Sequence, residues 1–305
     1  HLTLVLVWPL VLIGLIRKTK ARLACRQGPP LLQELWDLLK LLRKSEVVPS
    51  TSTWVFRVAP PIAWAVVLLV GLMVPTFSWM VPLADQADFI LIVYLLALSR
   101  FVRSLAALDT ATAFAGLGAS RENFVATLAE PALMLGLWCT GWLAGTTHIP
   151  EMVFRFSGKA AAELSPVHPL ILAALTIVVL AENARIPFDD PTTHLELTMI
   201  HEASALEYSG RGLACIQWSA GINLGISLAL IGNLFFPLHL ADHSSLSAIG
   251  SGVLSFTGRT ALLAVGIGLL ESSIARLKFF RISDALALAG AATVLAIIRL
   301  ATVGR

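Results

Sequence analysis

Eight continuous apolar runs dominate this chain, near residues 2–16, 58–80, 88–108, 124–146, 168–186, 213–236, 255–277 and 283–301. They lack the apolar-polar alternation of a lipid-embedded barrel strand, so they are helices that pass through hydrocarbon. Of the 305 side chains, 57% are apolar and only 13% charged, about half the charged share of a soluble domain. Too little polar surface remains to cover a body of this size in water, which excludes a soluble globule. The sequence predicts an all-α polytopic membrane protein of about eight transmembrane helices, a single integral membrane domain over 1–305. The first residue is His1 and the first run is short for a span, so the expectation is that the natural start lies upstream.

Lysine and arginine are sorted by loop. One set of alternate loops collects Arg17, Lys18, Lys20, Arg22, Arg26, Lys40, Arg43, Lys44, Arg57, Arg100, Arg103, Arg121, Arg185, Arg211, Arg276, Lys278 and Arg281. The other holds only Arg155, Lys159, Arg259, Arg299 and Arg305. The positive-inside rule then puts the large loops in the cytoplasm and both termini outside; the expected location is the inner (cytoplasmic) membrane. A net charge of +3 is too small to point to nucleic acid.

After Gly28-Pro29-Pro30, the first cytoplasmic loop carries Gln33, Asp37, Lys40 and Lys44 at steps of four, three and four, with leucines and Trp36 between them. One polar stripe on an otherwise apolar segment predicts an amphipathic interfacial helix over 31–44. It either lies in the headgroup region or serves as a docking surface for a cytoplasmic partner.

Carboxylates stand where lipid forbids them. Glu130 falls inside the fourth run, Glu182 closes the fifth and Glu271 sits inside the seventh. An ionised carboxylate at that depth costs several kcal/mol unless it faces protein or water, which makes each a site for ion or proton handling. Asp109 and Glu122 have Arg100, Arg103 and Arg121 near them in sequence and read equally well as structural ion pairs. Glu130 has no basic residue within a helical turn or two and reads as functional.

The third cytoplasmic loop holds Glu182, Asp189, Asp190, Glu196, Glu202 and Glu207 against Arg185 and Arg211. Asp190-Pro191 is a helix start and Gly210 a stop, so a short helix is expected between them, with Glu196 and Glu207 on one face. Arg185, three residues from Glu182, is placed to hold its charge. Crowded carboxylates raise one another's pKa values toward the range where they exchange protons. His194 and His201 share a face at a spacing of seven, but Ala205 stands where an HExxH pattern needs its second histidine, so no metal site is assigned. Cys25, Cys139 and Cys215 lie far apart with no CxxC pair, and neither a cluster nor a zinc site is expected from this chain. Gly141-xxx-Gly145 and Gly221-xxx-Gly225 are helix-packing patterns.

Arg26-x-Gly28-Pro29 with Gln33, Asp37, Lys40-Leu41 and Lys44-x-Glu46, then Ala181-Glu182-x-x-Arg185-x-Pro187-Phe188-Asp189 and Glu207-Tyr208-Ser209-Gly210, resembles the quinone-site membrane subunit of respiratory complex I. That family is shared with membrane-bound group 4 nickel-iron hydrogenases such as formate hydrogenlyase, and the likeness spans nearly the whole chain. Gly118-Ala119-Ser120-Arg121-Glu122 with Glu130-Pro131, and Glu271-x-x-x-Ala275-Arg276, are similar to the hydrogenase branch, that of formate hydrogenlyase and hydrogenase-4.

The resemblance implies a non-catalytic subunit that anchors a hydrophilic redox arm and links it to proton or sodium movement. Glu130, Glu182, Arg185, Asp189, Asp190, Glu196, Glu202, Glu207 and Glu271 would carry ion coupling. Arg26, Gln33, Asp37, Lys40, Lys44 and Glu46 would form the docking face for the redox arm. The implied partners are the [NiFe]-hydrogenase large and small subunits, a ferredoxin-like Fe-S subunit and antiporter-like membrane subunits. The NiFe centre and Fe-S clusters would lie in those other chains, with a lipid or quinone behind the amphipathic helix. Thr192 and His194 stand where the complex I pattern has two more glutamates, which weakens the quinone reading. The alternative is the quinone-site subunit of a complex I-like NADH or ferredoxin:quinone oxidoreductase. A separate class, an independent secondary transporter using Glu130 and Glu271, lacks the paired broken helices that class shows.

Overall fold

The computed structural model describes residues 1–157, 167–189, 200–236 and 246–303. Eleven α-helices lie in these segments: α1 Leu2–Leu23, α2 Gln33–Arg43, α3 Trp54–Met73, α4 Phe89–Asp109, α5 Ala113–Ala144, α6 Ile149–Phe156, α7 His168–Glu182, α8 His201–Ala205, α9 Gly210–Phe235, α10 Leu246–Ser273 and α11 Phe279–Val303. Seven of them are long and apolar enough to cross a membrane. The eighth apolar helix, α7, has 15 residues and so spans about 22 Å, short of a typical ~30 Å hydrocarbon core. It stops at Glu182 because Asn183 and Ala184 turn the chain away, Ala184 with a φ of +49°.

Several helices outrun their apolar sequence. α1 carries Arg17 to Arg22 on a polar tail, and α5 starts at Ala113, well before its apolar run, with Glu122 buried inside it. Helical hydrogen bonding continues past the hydrocarbon edge wherever neighbouring protein receives the polar side chains.

α3 packs on α4 and α9, α1 on α9 and α10, and α11 on α5 and α7, so α9 runs through the middle of the bundle. It is the most buried of the candidate spans. Gly221 and Gly225 let α1 come close: a Cβ on Gly225 would stand 2.5 Å from Pro9 Cγ. The expected packing role holds there, whereas Gly145 ends α5 as a left-handed cap. α2 forms as expected, with Leu38 buried beside Leu10 and Ala214 and the ion pair Arg17–Glu34 tying it to α1. Trp36 remains 61% exposed and Leu39 39%, an apolar edge beside the polar stripe.

Candidate functional site: a buried charge network

At one end of the bundle, α4, α5, α7, α8 and the segment 183–189 bring together charges that are distant in sequence. Arg100, buried in α4, forms ion pairs with both Glu130 of α5 and Glu182 at the end of α7. Three residues on, Arg103 reaches Glu122 at 3.1 Å. Glu122 also lies 3.4 Å from His201 Nδ1 and accepts a hydrogen bond from Ser204 Oγ at 3.1 Å. The His201 backbone N–H donates to Asp189 Oδ2 at 3.1 Å, and Asp189 Oδ1 accepts from Arg276 at 3.3 Å. On the flank nearest α1, Glu271 is held by Lys20 at 2.8 Å and faces Arg185 at 3.7 Å. Burial pulls the Arg185 guanidinium below the usual arginine pKa, and the Glu271 charge opposes that pull.

Three expectations change. Glu130 is not a lone carboxylate: its partner Arg100 comes from α4, so residue spacing along α5 carries no sign of it. Arg185 faces Glu271, while Glu182 takes Arg100, because Arg185 lies beyond the end of α7 where helical spacing no longer governs which way it points. The crowding of like charges is relieved at Glu182 and Asp189, each paired with an arginine. Among the described residues, Glu122, Glu130, Glu182, Asp189 and Glu271 each have an arginine within ion-pair reach.

Of the two acids near arginines, Glu122 is ion-paired and Asp109 is not. Asp109 accepts from Thr53 N at 2.8 Å, Thr53 Oγ1 at 2.7 Å and Phe56 N at 3.3 Å, fastening the start of α3 to the end of α4. The predicted Asp190, Glu196 and His194 fall outside the described residues. So do residues 191–199 of the helix expected between Asp190 and Gly210; of its described remainder, His201–Ala205 form α8. Glu207 lies past α8. There the chain leaves the helix so that Tyr208 can stack on Phe56, ring centroids 4.0 Å apart, and donate to the Phe56 carbonyl at 3.0 Å. Gly210 then takes a φ of +51° with Ser45 O 2.6 Å from where a Cβ would sit, so the position admits only glycine. Ser209 exchanges hydrogen bonds with Val47, completing a clasp between the first and third loops.

The docking-face residues lie on or beside α2. Arg26, Lys40, Lys44 and Glu46 are exposed; Gln33 and Asp37 are half-buried, with Gln33 donating to Asp37 at 3.0 Å. Glu202 is half-buried on α8 beside the network. Sequence reasoning passed over Arg100, Arg103 and His201 as site residues. The signal was present for the arginines: two, three residues apart, at the C-terminal end of an apolar run are as costly as an intramembrane acid. Cys25 lies past α1, Cys139 is buried in α5 and Cys215 is in α9, too scattered to ligate a cluster. Among the described residues, no three His, Cys, Asp or Glu side chains converge as a metal-ligand group.

A family described as NADH dehydrogenase matches residues 1–302. Hydrogenase-4 component C of Escherichia coli is 34% identical over 269 residues, 88% of this chain and 84% of its own length. Formate hydrogenlyase subunit 4 of the same organism is 34% identical over 276 residues, 88% of this chain and 86% of that one. An NADH-quinone oxidoreductase subunit of Rickettsia prowazekii is 28% identical over 235 residues, 73% of this chain and 67% of its own. A chain of the membrane-bound sulfane sulfur reductase, an archaeal respiratory membrane complex, superposes with a TM-score of 0.81 at 19% identity, covering 97% of this chain and 96% of that one, and so shares the fold. Matched nearly end to end and 34% identical to two hydrogenase-complex subunits, this all-α polytopic chain belongs to the NADH dehydrogenase family of membrane subunits.

Proposed function

We propose that this chain is the membrane-anchoring and ion-coupling subunit of a membrane-bound [NiFe] hydrogenase complex of the formate hydrogenlyase type. The observation that carries it is Arg100 held between Glu130 and Glu182 inside the bundle, with Arg103 one turn on paired to Glu122, which His201 joins to the Asp189 segment. A purely structural anchor has no use for so many desolvated charges, since well-packed apolar residues are often as stable or more so. A network of alternating charges can instead exist in more than one pairing, so that a movement of the loop at one end redistributes ions or protons at the other. In this reading the redox arm docks on α2 through Arg26, Gln33, Asp37, Lys40, Lys44 and Glu46. Large and small hydrogenase subunits and a ferredoxin-like subunit carry the NiFe centre and Fe-S clusters, and antiporter-like subunits adjoin in the membrane. The large loops face the cytoplasm, with both ends on the far side of an inner membrane.

Higher identity to the two hydrogenase-complex subunits than to the NADH-quinone oxidoreductase relative supports the hydrogenase branch over the quinone branch. The test is to purify the chain with its partners in mild detergent and measure nickel, iron and flavin. Nickel and iron without flavin are expected. Flavin without nickel, with quinone-dependent turnover, would move the chain to the complex I-like alternative. In the assembled complex, Glu182→Gln and Glu207→Gln should lower the ions moved per hydrogen turned over. Full coupling in both variants would remove the ion-coupling role.

A further inference from the structure

His201 stands where three small cavities meet. One lies among Arg100, Arg103, Glu182 and Asn223, a second among Glu122, Asp189 and Glu182, and a third against Ser204 and Tyr208. The first, of about 50 Å³, is bordered by four residues carrying buried polar atoms without a hydrogen-bond partner: Arg100 Nε, Arg103 Nε, Glu182 Oε1 and Asn223 Oδ1. Two donors and two acceptors around such a space are what a few bound waters need.

A proton crossing this network needs a group that can both take it and release it. The guanidinium of arginine does not give up its proton in proteins, and a carboxylate beside an arginine is favoured ionised. Imidazole is the side chain whose charge changes near neutral pH, with two nitrogens that can be loaded from different sides. Several charged or titratable groups surround His201: Glu122 of α5, Arg100 and Arg103 of α4, Glu182 at the end of α7, Asp189 with its partner Arg276, adjacent Glu202 and Tyr208 beyond α8. Among the described residues that set holds four carboxylates and three arginines. The ring is also tied to the loop: its own N–H is on Asp189, and Ser204, one turn on, is on Glu122. Movement of the segment at Asp189 therefore changes the 3.4 Å separation of Nδ1 from Glu122.

We infer that His201 is the proton-loading group of the buried charge network. One proton arrives on Nε2 from water in the first cavity and one leaves from Nδ1 to water in the cavity lined by Glu122, which returns the ring to neutral with its tautomer reversed. This rests on the ion-coupling reading above and names proton as the ion at this site.

The test uses the whole complex in inside-out membrane vesicles, with proton uptake read per hydrogen turned over between pH 6 and 8. His201→Gln, which keeps a hydrogen-bonding side chain that does not titrate, should lower that ratio at least tenfold and flatten its pH dependence. His201→Ala covers the case in which the glutamine variant does not assemble: uptake should be lost and then restored by imidazole at tens of millimolar. Wild-type ratios in both variants would overturn the inference while leaving ion coupling intact. Loss in both with no rescue by imidazole would overturn it too, by reducing His201 to a packing residue. Wild-type vesicles that move no protons during hydrogen turnover would overturn the coupling reading and this one with it.

Discussion

Arg185 turns its guanidinium to Glu271 of α10, 3.7 Å away, although Glu182 is only three residues from it in the chain. Glu271 is thereby shared between Arg185 and Lys20, with its own side chain 2% exposed. Removing the carboxylate leaves two cations facing each other at the junction of α1, α10 and the segment after α7. Breaking a buried pair from one side costs roughly 3–5 kcal/mol, and here the lower figure applies because Lys20 is 26% exposed and can rehydrate. Glu271→Ala is expected to lower the thermal midpoint of the purified complex, followed by tryptophan fluorescence, and Glu271→Gln to lower it less. An unchanged midpoint for the alanine variant would show that Glu271 does not hold these elements together.

The helices were legible in the sequence because continuous apolar runs carry their own evidence, and α2 because a polar stripe at steps of three and four has a single geometric meaning. Glu122 with Arg103 apart, the partners of the acids were not. Glu130 meets Arg100 across two helices, and the choice between Glu182 and Glu271 for Arg185 depends on how the chain turns after α7. Such pairings are set by tertiary packing, to which local spacing is blind. The Tyr208-Ser209-Gly210 motif was visible as a motif, but its work as a clasp depends on Phe56 and Val47, more than a hundred residues upstream.

Arg100 serves two carboxylates at once, which a planar guanidinium fork does and a single ammonium does poorly. Arg100→Leu strands Glu182, whose side chain is 8% exposed, and should destabilise the chain by about 3–5 kcal/mol. Glu130, at 36% exposure, suffers less. Adding Glu182→Leu to Arg100→Leu removes the stranded charge, so the double variant should assemble better than the single one while moving no ions. The comparison is made on the yield and melting of the intact complex. A double variant less stable than Arg100→Leu alone would contradict the assigned pairing.

Tyr208 offers a test of the clasp that is independent of ion movement. Its ring lies flat on Phe56, with the planes 2° apart, and its hydroxyl donates to the Phe56 carbonyl. Tyr208→Phe keeps the stack and leaves that carbonyl unpaired, a loss of about 1–2 kcal/mol. Tyr208→Ala also removes the ring from a buried site and should cost about 3–5 kcal/mol. Burial, and then the charges of Asp109 and Glu46, push the phenol's pKa above its ordinary value of 10.0. The folded state thus holds this proton more tightly than the unfolded chain does. The contribution is fully present below pH 10.0, begins to fall once the unfolded phenol ionises above that value, and is lost as the pH rises through the raised folded value. Melting curves should therefore show a Tyr-minus-Phe stability difference that is flat from pH 6 to 9 and shrinks above pH 10; a difference that already shrinks between pH 7 and 9 would mean the hydroxyl is not buried on Phe56.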